Sequence, residues 1–245
     1  VHGAGADRLH LGVQVADGAG GWRDAWTLRR AMACEAADGE GSRGLSCEAH
    51  TGTGVVARVM LSVRDARPEA LLWETSFVNR SGAPAYLHAV VPMRAAAEDG
   101  GALAIGSDPA AVRILQNGSD GIVDFHVDLM PGDRPLTAPE DNALTWGYSS
   151  WSTGNSLAFD PGSGASLLAG FLRMDWAVPL VAMAGSEPPP APLPDGRVPM
   201  AVLQAEARFA TFATLPDGAT VDGGLAVLIA GTDSPFDALE AYGDE

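Results

Sequence analysis

The sequence contains no lysine. All 15 basic residues are arginine, set against 31 acidic ones, and the formal net charge is −16. The missing lysine reads as a base-composition bias of the genome, not as a functional signal. The acidic balance excludes classes of partner, because such a surface repels phosphate backbones and anionic headgroups. No nucleic acid and no membrane surface are therefore expected as partners, and the short basic pair Arg29–Arg30 does not alter this. Long apolar runs are also missing. No stretch reaches the roughly 20 residues needed to span a bilayer. The first residues, Val-His-Gly-Ala-Gly-Ala, lack the basic start and apolar stretch of a signal peptide.

Charged residues make up only 19 % of the chain, while 47 % is apolar. That combination excludes disorder and supplies a sizeable core. A length of 245 residues admits two domains, or one large β-sandwich.

Cysteine is scarce, with Cys34 and Cys47 the only two. They form at most half of a zinc site, and no histidine lies beside them at ligand spacing, so no metal is expected. Their separation suits a disulfide stapling a hairpin or loop, worth about 2–3 kcal/mol if formed. Two free thiols are the alternative. The compartment stays open on this evidence, cytoplasmic with free thiols or secreted with the bridge.

What the chain has in abundance is short apolar runs punctuated by Gly, Pro, Asp and Asn, the pattern of an all-β protein. Gly54–Val63 alternates loosely. Leu71–Val78 and Ala85–Val91 flank Asn79-Arg-Ser-Gly-Ala-Pro84, which predicts a hairpin. Val123, Phe125, Val127 and Leu129 alternate with Asp124, His126 and Asp128, a half-buried strand. Ser156–Asp160, Pro-Gly-Ser-Gly and Ala165–Leu172 predict a second hairpin. Met200–Thr214 and Gly224–Ala230 read as further strands. Asp24–Ala33 offers a weakly supported short helix. Ser234-Pro-Phe-Asp-Ala-Leu-Glu-Ala-Tyr242 predicts a better one, with Ser234 as N-cap, Pro235 at the first helical position and Asp237 in the first turn. The proline-rich Glu187–Pro194 reads as a stiff extended loop, or as a polyproline ligand.

No catalytic constellation stands out. Asp124, His126 and Asp128 share one strand face about 7 Å apart, a row that could ligate a metal or simply face water. No Gly-x-Ser-x-Gly elbow, phosphate-binding glycine loop or Walker pattern occurs, so neither a nucleophilic triad nor a nucleotide cofactor is expected. The aromatic cluster Trp146-Gly-Tyr-Ser-Ser-Trp151 is more informative. Aromatic faces beside hydroxyls and amides suit sugars, through stacking and hydrogen bonds. The competing reading packs these rings into a core or an interface. Trp73 and Trp176 lie in β-rich runs and read as core, whereas Trp22 and Trp26 are undecided. Two glycosylation sequons occur, at Asn79 and Asn117.

The order of several segments resembles the N-terminal domain of glycoside hydrolase family 36, which includes α-galactosidases and raffinose-synthase-like proteins. The segments are Trp73-Glu-Thr-Ser-Phe-Val-Asn-Arg-Ser-Gly, Arg113-Ile-Leu-Gln-Asn-Gly118, Ser150-Trp151-Ser152, Leu157-Ala-Phe-Asp-Pro161 with Leu167–Leu172, and Asp237–Tyr242. The resemblance implies a large antiparallel β-supersandwich of the galactose-mutarotase type over residues 1–233. It implies that residues 234–245 begin a linker helix toward a catalytic barrel outside this chain, where two aspartates would act with retention. This chain would then be a non-catalytic domain that supports its own barrel, oligomerisation and the rim of a sugar pocket. Its expected partners are an α-galactoside-type carbohydrate, that barrel, and further copies in the full protein. Trp146, Tyr148, Trp151 and Asn117 are the candidate carbohydrate-binding residues. After Asn117-Gly118 the family continues with an aromatic residue that is missing here, which leaves the substrate open. Two other readings are a free-standing carbohydrate-binding module and a structural or adhesive sandwich without ligand.

Overall fold

The computed structural model describes residues 9–16, 22–26, 32–96, 113–116, 134–135, 152–184, 202–231 and 234–244. These residues form two antiparallel sheets packed face to face, with one helix on the outside. The strands are β1 (Leu9–Ala16), β2 (Trp22–Trp26), β3 (Met32–Ala36), β4 (Ser42–His50), β5 (Val55–Arg64), β6 (Arg67–Asn79), β7 (Ala85–Ala96) and β8 (Arg113–Gln116). They continue with β9 (Arg134–Pro135), β10 (Ser152–Thr153), β11 (Asn155–Phe159), β12 (Ser166–Arg173), β13 (Val178–Ala184), β14 (Val202–Leu215) and β15 (Thr220–Gly231). The helix α1 spans Pro235–Gly243. One sheet has six strands in the order β10-β13-β14-β7-β1-β2, and the other nine in the order β3-β4-β5-β6-β15-β12-β11-β8-β9. The expected all-β sandwich with a short C-terminal helix is the observed architecture. Among the described residues no helix is long and apolar enough to cross a membrane.

The core fills the space between the sheets. Trp73, Phe77 and Phe171 enter from the nine-stranded sheet and meet Leu87, Met93 and Leu203 from the six-stranded one. Along β6, Trp73, Thr75 and Phe77 are buried while Glu74 is exposed, the period-2 pattern of a strand with one face in the core. β12 and β15 break that alternation. The run Ser166–Phe171 is buried without interruption, because α1 covers the outer face that would otherwise be wet. Leu157, Leu168, Val227 and Ile229 pack there against Ala238 of α1. The apolar texture of Leu167–Leu172 therefore has two causes, one on each side of the sheet.

Two connections differ from expectation. Asn79–Pro84 is not a hairpin turn: β6 belongs to the nine-stranded sheet and β7 to the six-stranded one, so the chain crosses between sheets here. The segment 216–219 makes the return crossing from β14 to β15. Asn79 fastens the two crossings. Its side-chain amide donates to the carbonyls of Ala83 (2.7 Å) and Leu215 (2.8 Å) and its side-chain oxygen accepts from the Ser81 amide (3.0 Å). Gly54, at φ +83°, packs under this corner, where a Cβ would lie 2.5 Å from that of Ser81. The described residues of the weak helix expected over Asp24–Ala33 are strand instead. Its first residues belong to β2, and Met32 and Ala33 open β3.

Other connections follow the sequence. β11 and β12 form the expected hairpin, closed by the Asp160 carboxylate, which accepts from the Gly162 amide (2.9 Å) and the Ser163 hydroxyl (2.8 Å). Ser234 caps α1 by accepting from the Phe236 amide (3.1 Å), with proline following at the first helical position.

Candidate functional site

The candidate sugar-binding residues Asn117, Trp146, Tyr148 and Trp151 lie outside the described residues, as do Asp124, His126, Asp128 and the proline-rich segment. The strands that flank them are described, and they converge. β8 ends at Gln116, which stands opposite Ser156 of β11. β10 begins at Ser152 and pairs with β13 of the six-stranded sheet. Between them Gly154 carries the chain from one sheet to the other. Its amide donates to the Pro179 carbonyl of β13 (3.0 Å), and its carbonyl accepts from the Phe171 amide of β12 (2.8 Å). Its φ of +85° favours glycine. The described chain ends that lead to Asn117 and Trp151 are thereby held at one corner of the sandwich.

The corner is rigid on its outer side. Asn155 pairs with Gly170 in the ladder. A side chain at Gly170 would lie 2.7 Å from the Tyr242 ring and 2.9 Å from the Asn155 Cβ, so only glycine lets α1 approach this closely. The Tyr242 hydroxyl donates to the Phe171 carbonyl (2.6 Å). Burial pushes the Tyr242 phenol above its ordinary value, opposed in part by a hydrogen bond with Asn155. On the inner side, Ser156 is fully buried with its hydroxyl unpartnered. These groups can bind and position. They hold no pair of carboxylates, and among the described residues no group of three or more His, Cys, Asp or Glu is placed to hold a metal ion.

Cys34 and Cys47 form a disulfide across directly opposed positions of β3 and β4. The bridge ties β3, an edge strand, to the nine-stranded sheet. Trp73 lies in the core at 1 % exposure, whereas Trp176, read as core, sits in the loop before β13 at 36 % exposure. Sequence reasoning passed over Gly154, Gly170 and Tyr242. The one available signal was a glycine on each side of a β-rich run, which is too common to single out a site.

No sequence-family model matches the chain, and no match exists among curated proteins. Solved structures do match. A variant of the family 36 α-galactosidase AgaA from Geobacillus stearothermophilus, in complex with 1-deoxygalactonojirimycin, superposes with a TM-score of 0.56 at 9 % identity, covering 95 % of this chain and 31 % of that one. The α-galactosidase from Lactobacillus brevis gives a TM-score of 0.53 at 12 % identity, covering 99 % and 28 %. This chain has the fold of a part of those α-galactosidases. A TPR-domain containing protein from Parabacteroides distasonis shares the fold as well, with a TM-score of 0.53 at 15 % identity, covering 85 % and 36 %. The chain thus spans about a third of the length of each of these three structures. At such identities the likeness concerns the fold.

Proposed function

We propose that this chain is a non-catalytic β-supersandwich domain of an α-galactosidase-like glycoside hydrolase, carrying residues for the rim of the sugar pocket. One observation supports the reading above others. The segments that resemble family 36 are scattered through the sequence, from Trp73 to Tyr242. Their described residues fall mainly on β6, β8, β11, β12 and α1, in the nine-stranded sheet and the helix packed on it, while Ser152 of the Ser150–Ser152 segment lies on β10 of the six-stranded sheet. The α-galactosidases of the same fold match nearly the whole of this chain, which covers about a third of theirs.

In this reading the corner at Gly154 presents Asn117 and the Trp146–Trp151 loop to a sugar held mainly by a separate barrel. Trp151 offers a stacking face and Asn117 an amide. Catalytic carboxylates belong to the barrel, so the 245-residue chain by itself is expected not to hydrolyse nitrophenyl α-galactoside. Trp151→Ala is expected to weaken galactose binding by about tenfold, the loss of one stacked face, with the melting temperature nearly unchanged. A hydrolysis rate that survives purification and vanishes on changing a carboxylate of this chain would overturn the non-catalytic reading. A large stability loss in Trp151→Ala would make that ring core and remove the sugar-binding role. The second reading, a scaffold without ligand, draws on the same fold in a protein described by its TPR domain. It is favoured if no sugar shifts any resonance of the chain.

A further inference from the structure

The outer face of the nine-stranded sheet has two halves. Helix α1 covers the apolar half over β11, β12 and β15. The other half, over β4, β5 and β6, is polar, and among the described residues no element packs on it. It holds a shallow trough of about 370 Å³ that includes Ser46, Arg58, Met60, Glu74 and Ser76. A second depression of about 350 Å³ over β3 and β4 adjoins it, sharing Ser46 and Arg58.

The charges along this trough are balanced and held in place. Glu48 accepts from Arg58 (Nε, 3.2 Å) and from both terminal nitrogens of Arg80 (2.9 and 3.3 Å). Burial alone would raise the Glu48 carboxyl, but these two guanidinium groups outweigh it and hold it below its ordinary value. At the other end Arg173 donates to Glu74 (2.8 Å) and lies 3.5 Å from Asp222. Within the trough itself Arg58 and Arg173 face Glu74 and Asp222, so its lining is locally neutral on a chain of net charge −16, while Glu35 and Glu48 line the adjoining depression.

The bonding is incomplete in a definite way. Glu48 uses only the Nε of Arg58. Among the described residues the two terminal nitrogens of Arg58 and the hydroxyls of Ser46 and Ser76 have no protein partner. Ser76 stands opposite Arg58 on the neighbouring strand, and Ser46 stands opposite Met60. Glu74 engages Arg173 through one of its two oxygens. Met60, 37 % exposed and opposite Glu74, gives the trough one apolar spot. Spare donors, spare acceptors and no net charge match a ligand whose groups both donate and accept. Hydroxyl groups do so.

We infer that this trough binds an uncharged, hydroxyl-rich ligand, a saccharide, with ligand oxygens on the free fork of Arg58 and ligand hydroxyls donating to Glu74. Among the described residues the site uses no aromatic ring, and it is built on β4, β5 and β6, not on the strands that flank Trp146–Trp151. It does not rest on the enzyme reading, since a carbohydrate-binding or scaffold domain could use it equally.

The test is a nitrogen-15 NMR titration of the full chain with raffinose, maltotriose and cellotriose at millimolar concentration. At least one trisaccharide is expected to shift the amides of Ser46, Arg58, Met60 and Ser76. Arg58→Ala and Glu74→Gln should each weaken that binding by about tenfold, the loss of one hydrogen bond to a charged group, while Trp151→Ala leaves it unchanged. Two independent variants guard against one that fails to fold, and the melting temperature of each identifies such a case. Saturation by glucuronate or sulfate in place of the neutral sugars would overturn the proposal, because the site would then be an anion site. So would shifts that Trp151→Ala abolishes, or no shift of the trough amides with any of the three sugars.

Discussion

Asn79 concentrates more structural work than any other described polar residue. It is fully buried, and both ends of its side-chain amide are engaged at the two places where the chain changes sheets. An asparagine in a sequon would ordinarily read as a surface feature, and here the buried amide leaves no room for a glycan in the folded chain. Asn79→Ala strips partners from two carbonyls and one amide at once. The expected loss is about 2–3 kcal/mol, seen as a fall in melting temperature of about 5–10 °C for a chain of this size. Asn79→Asp is the sharper experiment. Its carboxylate would face the carbonyl oxygens of Ala83 and Leu215 with no donor to offer. Burial and those oxygens would raise its folded pKa above the unfolded value. The variant's stability should therefore be greatest below the ordinary aspartate pKa and be lost as pH rises through the raised one. A urea midpoint that stays flat with pH, relative to the parent, would mean that the corner opens and solvates the charge.

At the level of elements, α1 decides which strands look apolar. It is only nine residues long, too short to persist alone in water, and it stands because it docks. The dock rests on Ala238 over Leu168 and Ile229, on the Tyr242 hydroxyl at the Phe171 carbonyl, and on the Arg67–Asp244 pair (2.9 Å). Tyr242→Phe keeps the ring and removes the hydroxyl, so it should cost about 1 kcal/mol and speed hydrogen exchange in α1 before the rest of the fold. Because the folded phenol is raised above its ordinary value, the contact is fully present below that value and is lost as pH rises past it. A rise in α1 exchange at alkaline pH beyond the base-catalysed rise common to all amides should thus appear in the parent and be missing from Tyr242→Phe. Equal exchange in both at every pH would show that the hydroxyl contributes nothing. The helix was legible beforehand from Ser234, Pro235 and Asp237, because capping chemistry is local. The crossing at Asn79–Pro84 was not. Gly and Pro announce a reversal in either case, and whether the next strand joins the same sheet depends on partners far away in sequence. The disulfide across β3 and β4 was one of the two readings that the spacing of Cys34 and Cys47 allowed, but the strands themselves were obscure, since Gly, Ser and Glu carry little strand signal. The Trp146–Trp151 loop stood out by composition, whereas the trough over Arg58 did not, because its members come from separate strands and only pairing register brings them together.

For the molecule as a whole the dominant electrostatic fact is a net charge of −16. Folding gathers that charge into a body with a radius of gyration of about 18 Å, against tens of ångströms for the unfolded chain. The self-repulsion this adds is of the order of several kcal/mol at low ionic strength, and it shrinks as the screening length falls below the molecular radius. Salt also weakens ion pairs, which pulls the other way. The pairs in the described part of the chain, Arg43–Asp65, Arg58–Glu48 and Arg173–Glu74 among them, have side chains between a third and three quarters exposed. Each such pair contributes about 0.2–1 kcal/mol, and pairs in contact are screened less than charges spread over the surface. Repulsion should therefore win. Raising sodium chloride from low to moderate concentration at neutral pH is expected to raise the melting temperature. The gain should fade as pH approaches the isoelectric point of about 4.5, where the net charge and its repulsion vanish while Glu48, with its depressed pKa, still holds its arginines. A melting temperature that falls with salt at neutral pH would mean that the ion-pair lattice on the outer sheet outweighs the net charge, and that this face contributes far more to stability than its exposure implies.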